Sequence, residues 1–298
     1  MIQFLKYKKI YYVASAILIF SAVFSLAYFG LNFGIEFEGG SIMEVEYKEE
    51  RPSSGEIRAM LSGLDLGEVF IQPIGEKGFI IRTKEVTEDV YREIRGRFGD
   101  SVEESYFESI GPVIGQELKQ KSLTSILLAS LAIIIYIALT FGGAGTRSVK
   151  SWQYGVIAAG VGFFHNVLIV LGVFSVLGYF YGVQLTIPIA VALLTILGYS
   201  INDTVVIFDR IRENLGKKFR SDFEEIVNSS LNETLGRSLS TSLTTLFVLF
   251  PILFFGGETL RWFIIALILG ISLGTYSSIF LAGPLLASWF SLKSKKNV

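Results

Sequence analysis

Cysteine is absent from the 298 residues, and histidine occurs once. The first absence excludes disulfides and thiol chemistry, but it leaves the compartment open because many exported domains also lack cysteine. The second excludes most catalytic triads and most zinc sites. Phosphate-binding glycine loops, dinucleotide fingerprints and nucleophile elbows are missing as well. The expectation is a protein that is not an enzyme, holds no cofactor or metal and binds no nucleic acid. Any energy it uses has to come from an ion gradient or from a partner.

Charge is also missing over long stretches. Six runs are free or nearly free of it: Ile10–Phe29, Leu123–Phe141, Gln153–Tyr179, Leu185–Phe208, Leu239–Gly256 and Trp262–Phe290. With 51% apolar residues, 14% aromatic ones and a mean hydropathy of +0.54, they predict a polytopic α-helical membrane protein with six transmembrane helices. Lys6, Lys8 and Lys9 before the first run resemble a secretory signal. The run is longer than a signal core of about 7 to 15 residues and no small-x-small site follows, so it reads as a retained anchor.

What charge there is lies unevenly. The net charge is −1, yet residues 31–121 carry 19 acidic and 11 basic residues. Outside that segment, basic residues cluster at Lys6, Lys8 and Lys9, at Arg147 and Lys150, at Arg210, Arg212, Lys217, Lys218 and Arg220, and at Lys293, Lys295 and Lys296. Six alternating helices put all these clusters on one side, and the positive-inside rule makes that side cytosolic. The opposite loops, 178–184 and 257–261, contain one basic residue, Arg261. Both termini are expected in the cytosol of a cell (inner or plasma) membrane, with 31–121 outside. The expected division is residues 1–30 with the first span, an extracytoplasmic α+β domain at 31–121, and spans two to six over 122–298.

The exported segment alternates like a strand over Ser41–Tyr47. Ser53-Ser54 then caps a run with Ile57, Met60, Leu61 and Leu64 on one face. Val69–Ile74 and Gly78–Thr83 read as strands joined at Gly75-Glu76-Lys77. Thr87–Phe98 opens with a capping pattern and spaces Val90, Ile94 and Phe98 as a helix does, and Val102–Ile110 closes as a strand. The order strand, helix, strand, strand, helix, strand predicts a ferredoxin-like split unit. Its core is small, so a neighbouring domain or subunit is expected over its sheet. In the cytosolic loop 209–231, Ile211, Leu215, Phe219, Phe223 and Ile226 recur every three or four residues. That spacing fits a helix lying along the membrane surface, and it fits equally an extension of the fourth helix.

One residue breaks the fourth apolar run. Over the 24 residues Leu185–Phe208, Asp203 is the only charge. At 1.5 Å per residue the run crosses a hydrocarbon core of about 30 Å. A carboxylate at such a helix centre costs about 2.5 to 3.5 kcal/mol on insertion scales, so it marks an ion pathway, a proton relay or a buried partner. Tyr199 and Ser200, one turn earlier, form a polar stripe with it, and Gly198 permits another backbone to approach. An interfacial aspartate with local hydrogen bonds is the alternative. Asp209, beside Arg210, reads as a solvated boundary residue.

The expected partner of Asp203 is Arg237, near the cytosolic start of the fifth helix at similar depth. Thr241, Thr244 and Thr245 continue from Arg237 as a hydroxyl stripe. The competing reading has Arg237 snorkelling to the headgroups. His165, followed by Asn166, lies near the middle of the third helix and reads as a structural hydrogen-bond donor rather than a proton carrier. Gly270-x-x-x-Gly274, and Gly155, Ala159 and Gly162, permit close helix packing.

Several motifs together, FGIEFEGG (33–40), SIGPVIG (109–115), GYSINDTVVIFDRIREN (198–214), LGRSLSTSLTT (235–245) and FGG (255–257), carry a resemblance covering nearly the whole chain. The chain resembles the SecF family of the Sec protein-export machinery, within the resistance-nodulation-division (RND) superfamily. The resemblance implies an accessory translocase subunit. Such a subunit pairs with SecD and uses the proton-motive force to complete export of unfolded polypeptides through the SecY channel. It implies proton-coupling roles for Asp203 and Arg237; the neighbouring Asn202, Tyr199, Ser200, Thr241, Thr244 and His165 are the expected supporting polar residues. Two positions depart from the family's usual pattern: Glu36 stands where an aspartate is usual, and Asn166 stands where the histidine is often followed by aspartate. An RND-type small-molecule or lipid exporter, and a purely structural subunit, are the alternative functions.

Overall fold

The computed structural model of the chain describes residues 1–141, 151–217 and 222–296. Arg147, Lys150, Lys218, Phe219 and Arg220 lie outside the described residues, as do the side chains of Lys293, Lys295 and Lys296. The chain divides into two compact units, one of residues 33–124 and one of residues 1–32 with 125–298.

The smaller unit is built on a four-stranded antiparallel sheet of β1 (Gly40–Tyr47), β2 (Phe70–Ile74), β3 (Gly78–Thr83) and β4 (Val102–Ile110), ordered β2-β3-β1-β4. Alternation along β1 sends Met43, Val45 and Tyr47 to one face, and cross-strand pairing sets Met43 against Ile81 and Val45 against Phe79 of β3. The helices α3 (Ser54–Met60) and α4 (Glu88–Phe98) cover that face through Ile57, Ile94 and Phe98. This is the strand order and connectivity of the split unit expected from the sequence. A bulge at Glu44/Val45 shifts the β1–β4 register.

Local chemistry explains the helix ends. Ser53 and Glu56 form a reciprocal capping box, with Ser53 N–H donating to Glu56 at 2.7 Å and Glu56 N–H donating to Ser53 Oγ at 3.3 Å. Thr87 differs from expectation, since it precedes α4 with an extended backbone but its side chain makes no capping bond. Met60 turns outward while Ile57 and Leu61 are buried, because α3 ends there after two turns. Ahead of β1 stands a single turn, α2 (Ile35–Glu38).

Among the described residues six helices are long and apolar enough to cross a membrane. The first is α1 (Lys8–Phe29) with a short lead-in from Phe4, and the second is α5 (Pro112–Thr140). The third comprises α6 (Ser151–Ala159), a π-helical stretch Gly160–Val167, and α7 (Leu168–Tyr181). The fourth is α8 (Ile187–Lys217) and the fifth α9 (Phe223–Phe255), which is helical through Pro251. The sixth joins α10 (Glu258–Ser277), a π-helical stretch Ser278–Ala282 and α11 (Gly283–Lys296). The chain is a multi-pass membrane protein.

The third, fourth and sixth spans are more than half buried, whereas the first, second and fifth expose most of their surface. Glycine sets the tight contacts in this core. A Cβ on Gly270 would fall 2.2 Å from Ile196, one on Gly274 would fall 3.1 Å from Ser200, and one on Gly162 would fall 3.2 Å from Ile201. Gly155 comes as close to Ile134 of α5. The first span packs on α7, where Gly172 meets Ala22.

One open choice is decided here and one reading changes. Of the two alternatives for 209–231 the structure has the extension of the fourth helix and not a separate surface helix: α8 continues to Lys217 and α9 begins at Phe223, with Ile211, Phe223 and Ile226 buried in the bundle. Their apolar spacing serves helix packing, which carries the same period as membrane-surface binding. Gly198 is not a close-approach site within the chain, since a Cβ there would meet nothing within 4 Å.

Candidate functional site

Asp203 faces inward from α8 and is 3% exposed. It sits three residues after Ser200, and both face the bundle core because helical side chains three or four apart share a face. Among the described residues its Oδ2 has no hydrogen-bond partner. An unpartnered buried carboxylate oxygen is expensive, so local hydrogen bonding does not explain the residue's retention. Arg237 on α9 is the charged residue whose field reaches Asp203. The two make no ion pair within 4.0 Å, and Arg237 is exposed on the outer side of its helix. The expected contact is therefore not made, and the outward exposure of Arg237 also fits the competing reading in which it snorkels to the headgroups.

The two helices are joined next to this pair. Tyr199 donates from its hydroxyl to the Thr241 carbonyl at 2.9 Å and shares a hydrogen bond with Thr245 Oγ1 at 3.2 Å. The threonine stripe is otherwise turned back on its own helix. Thr241 donates to the Arg237 carbonyl at 2.9 Å, and Thr244 and Thr245 donate to Ser240 and Thr241 carbonyls. Asn202 is exposed beside Asp203. Asp209 is exposed and pairs with Arg212 at 2.7 Å, while Arg210 pairs with Glu213 and Glu233.

A second polar line runs on the other side of α8. His165 Nδ1 bonds Asn166 Oδ1 at 2.7 Å, and Asn166 Nδ2 donates to Ser200 Oγ at 2.6 Å. Because the Asn166 amide donates through Nδ2, its Oδ1 accepts, and His165 Nδ1 carries the proton. Thr204 Oγ1 and Ser278 Oγ lie 2.8 Å apart, and Ser278 donates to the Ser200 carbonyl at 3.1 Å. His165 therefore reaches the neighbourhood of Asp203 only through an amide, which passes no proton at ordinary pH. The network fastens three helices together. Both π-helical stretches supply members of it, in keeping with the occurrence of such stretches at functional sites.

Sequence reasoning did not find Thr204, Ser278 or the Ser242–Thr275 pair, which joins α9 to α10 at 2.5 Å. A signal was present: Ser277-Ser278 interrupts the sixth apolar run, just as Asp203 interrupts the fourth.

Known proteins resemble this chain over nearly its whole length. Residues 24–50 match the "SecD/SecF GG Motif", and residues 90–292 match "Protein export membrane protein SecD/SecF, C-terminal". A protein translocase subunit SecF from Thermobaculum terrenum is 39% identical, over 97% of this chain and 94% of its own length. The chain belongs to the SecF family. A SecF from Anaerolinea thermophila is 36% identical over 98% of this chain and 95% of its own length. Among solved structures, SecDF from Thermus thermophilus, a translocon-associated membrane protein, superposes with a TM-score of 0.84 at 31% identity over 97% of this chain. This SecF-family chain spans 38% of that SecDF chain's length. A SecDF structure in a super-membrane-facing form is also 31% identical, with a TM-score of 0.71 over 99% of this chain.

Proposed function

We propose that this chain is an accessory subunit of the Sec protein translocase that works with SecD. In this reading it couples the proton-motive force to export of unfolded polypeptides through the SecY channel. It lies in the cell membrane with both termini cytosolic and the 33–124 unit outside. The observation that carries the coupling is the buried Asp203 with a free Oδ2, within the field of Arg237 on the neighbouring helix but not in contact with it. Such a pair responds to proton uptake, because neutralising Asp203 removes the attraction across the α8–α9 seam. One charge moved through 100 mV is worth about 2.3 kcal/mol, comparable to the cost of holding Asp203 in lipid. One of the similar SecDF structures is described as a super-membrane-facing form.

The test is export by membrane vesicles carrying Asp203→Asn or Arg237→Met. Both variants should insert and co-purify with SecD while export stops. Near-normal export by both would refute the coupling. An effect on drug tolerance with intact protein export would point to a small-molecule exporter instead.

A further inference from the structure

Two motifs play no part in the site above: Phe33–Gly40, FGIEFEGG, and Ser109–Gly115, SIGPVIG. They meet backbone to backbone. Gly39 and Gly40 have φ of +82° and +136°, a region that favours glycine. A Cβ on Gly39 would lie 2.7 Å from Pro112 Cα, and one on Gly40 would lie 2.7 Å from the Thr83 carbonyl oxygen. From the opposite side, a Cβ on Gly115 would lie 2.8 Å from Gly39 N and 3.2 Å from the Glu38 carbonyl carbon. None of these clashes is with a flexible side chain. Around the contact, Ile35 and Phe37 are buried, the Gly39 amide donates to the Ile35 carbonyl at 2.8 Å, and Lys119 lies 3.8 Å over the Phe33 ring.

The chain entering the exported unit is thus clamped to the first turn of the helix leaving it. After Gly115, α5 runs to Thr140 without glycine or proline. We propose that Gly39, Gly40 and Gly115 form a clasp that makes the exported unit and the start of α5 one rigid body. Motion of the second span then turns the exported unit instead of being absorbed at Gly111. The clasp is a positioning device, and it rests on the reading that proton uptake moves the spans.

Because the chain has no cysteine, spin labels can be placed cleanly at Glu76→Cys and Gln120→Cys, both exposed and both in the 33–124 unit. In the reconstituted full chain, dipolar distance measurement should give one narrow distribution. Gly115→Ala should broaden it and abolish export without lowering membrane accumulation. Gly96→Ala is the control: it is also a helical glycine, but its Cβ would meet nothing within 4 Å. Alanine favours the helix at both positions, so general helix effects predict gain or neutrality for both, and only the clasp predicts opposite outcomes. A broad distribution in the parent overturns the proposal even if Gly115→Ala fails to accumulate. An unchanged distribution in Gly115→Ala, or a broadened one with normal export, also overturns it. The label distances do not depend on export, so failure of the clasp is distinguishable from failure of proton coupling, which Asp203→Asn tests.

Discussion

The separation between Asp203 and Arg237 makes a quantitative prediction for a double-mutant cycle of Asp203→Asn and Arg237→Met. Unit charges 4 Å apart attract by about 4 kcal/mol at an effective dielectric constant of 20. The pair lies beyond 4.0 Å and Arg237 is exposed, so that figure is a ceiling. An interaction energy of about 1 to 2 kcal/mol is expected, well above the roughly 0.3 to 0.5 kcal/mol error of additivity for independent sites. The opposing term is the insertion cost of the carboxylate, about 2.5 to 3.5 kcal/mol. Asp203→Asn alone therefore removes an attraction of about 1 to 2 kcal/mol and a larger cost of about 2.5 to 3.5 kcal/mol, so it should leave stability unchanged or raise it. A residue retained to stabilise the fold would behave otherwise. Losing it would cost several kcal/mol, as removing one member of a buried ion pair does.

The assay is denaturant titration of the membrane bundle in mixed micelles for the parent, both single variants and the double variant. Export by the same four proteins supplies the functional axis. Residues acting as one unit are non-additive, so each single variant should abolish export and the double should be no worse. Stability effects that simply add would refute the field across the α8–α9 seam. A large loss from Asp203→Asn alone would show the carboxylate to be a structural anchor.

Three further outcomes follow from the fold. Phe79, 1% exposed, fills the core of the 33–124 unit, so Phe79→Ala should cost about 3 to 5 kcal/mol; proteolysis should then digest residues 33–111 while the spans stay protected. Gly270→Ala drives a Cβ to 2.2 Å from Ile196, so it should lower the bundle's thermal midpoint, and Ile196→Ala should restore it; no rescue would mean that the clash is not the cause. Glu56 is held below the usual carboxylate range by the Ser53 amide and hydroxyl. A depressed folded pKa contributes stability above the unfolded value and loses it as pH falls through the folded one. Unfolding of the parent and of Glu56→Gln should therefore differ at neutral pH and converge in acid, and a constant difference would refute the assignment.

The fold was legible wherever the physics is periodic. Apolar runs gave the spans, and alternation at Met43, Val45 and Tyr47 gave the sheet face. Periodicity failed at 209–231, because an amphipathic helix lying on a membrane and one entering a bundle share the same spacing. Asp203 stood out because a charge in an apolar run has few explanations. The distance to Arg237 was not legible, since residue count fixes depth along a helix but not rotation about it. The same limit applied to Gly198, which lies opposite the packed face, and to Thr244, whose hydroxyl is engaged by its own helix.

That rotation leaves polar groups facing outward along two of the candidate spans. Thr195, Gly198 and Asn202 are exposed along one edge of α8, and Arg237, Ser240 and Thr244 are exposed along α9. Thr195 and Thr244 donate to their own helices, but Asn202 and Arg237 carry groups that hydrocarbon cannot satisfy. An edge of this composition calls for a protein cover, and the SecD partner proposed above is the candidate. Gly198 makes the idea testable. A Cβ there touches nothing within 4 Å in this chain, so Gly198→Leu should leave the isolated subunit's folding and thermal midpoint unchanged. If the edge faced lipid, the added leucine would be harmless and SecD would still co-purify. If it faces closely packed helices, the leucine has no space, and co-purification with SecD should be lost together with export. Retention of both would place the SecD contact elsewhere and favour the reading in which Arg237 snorkels to the headgroups.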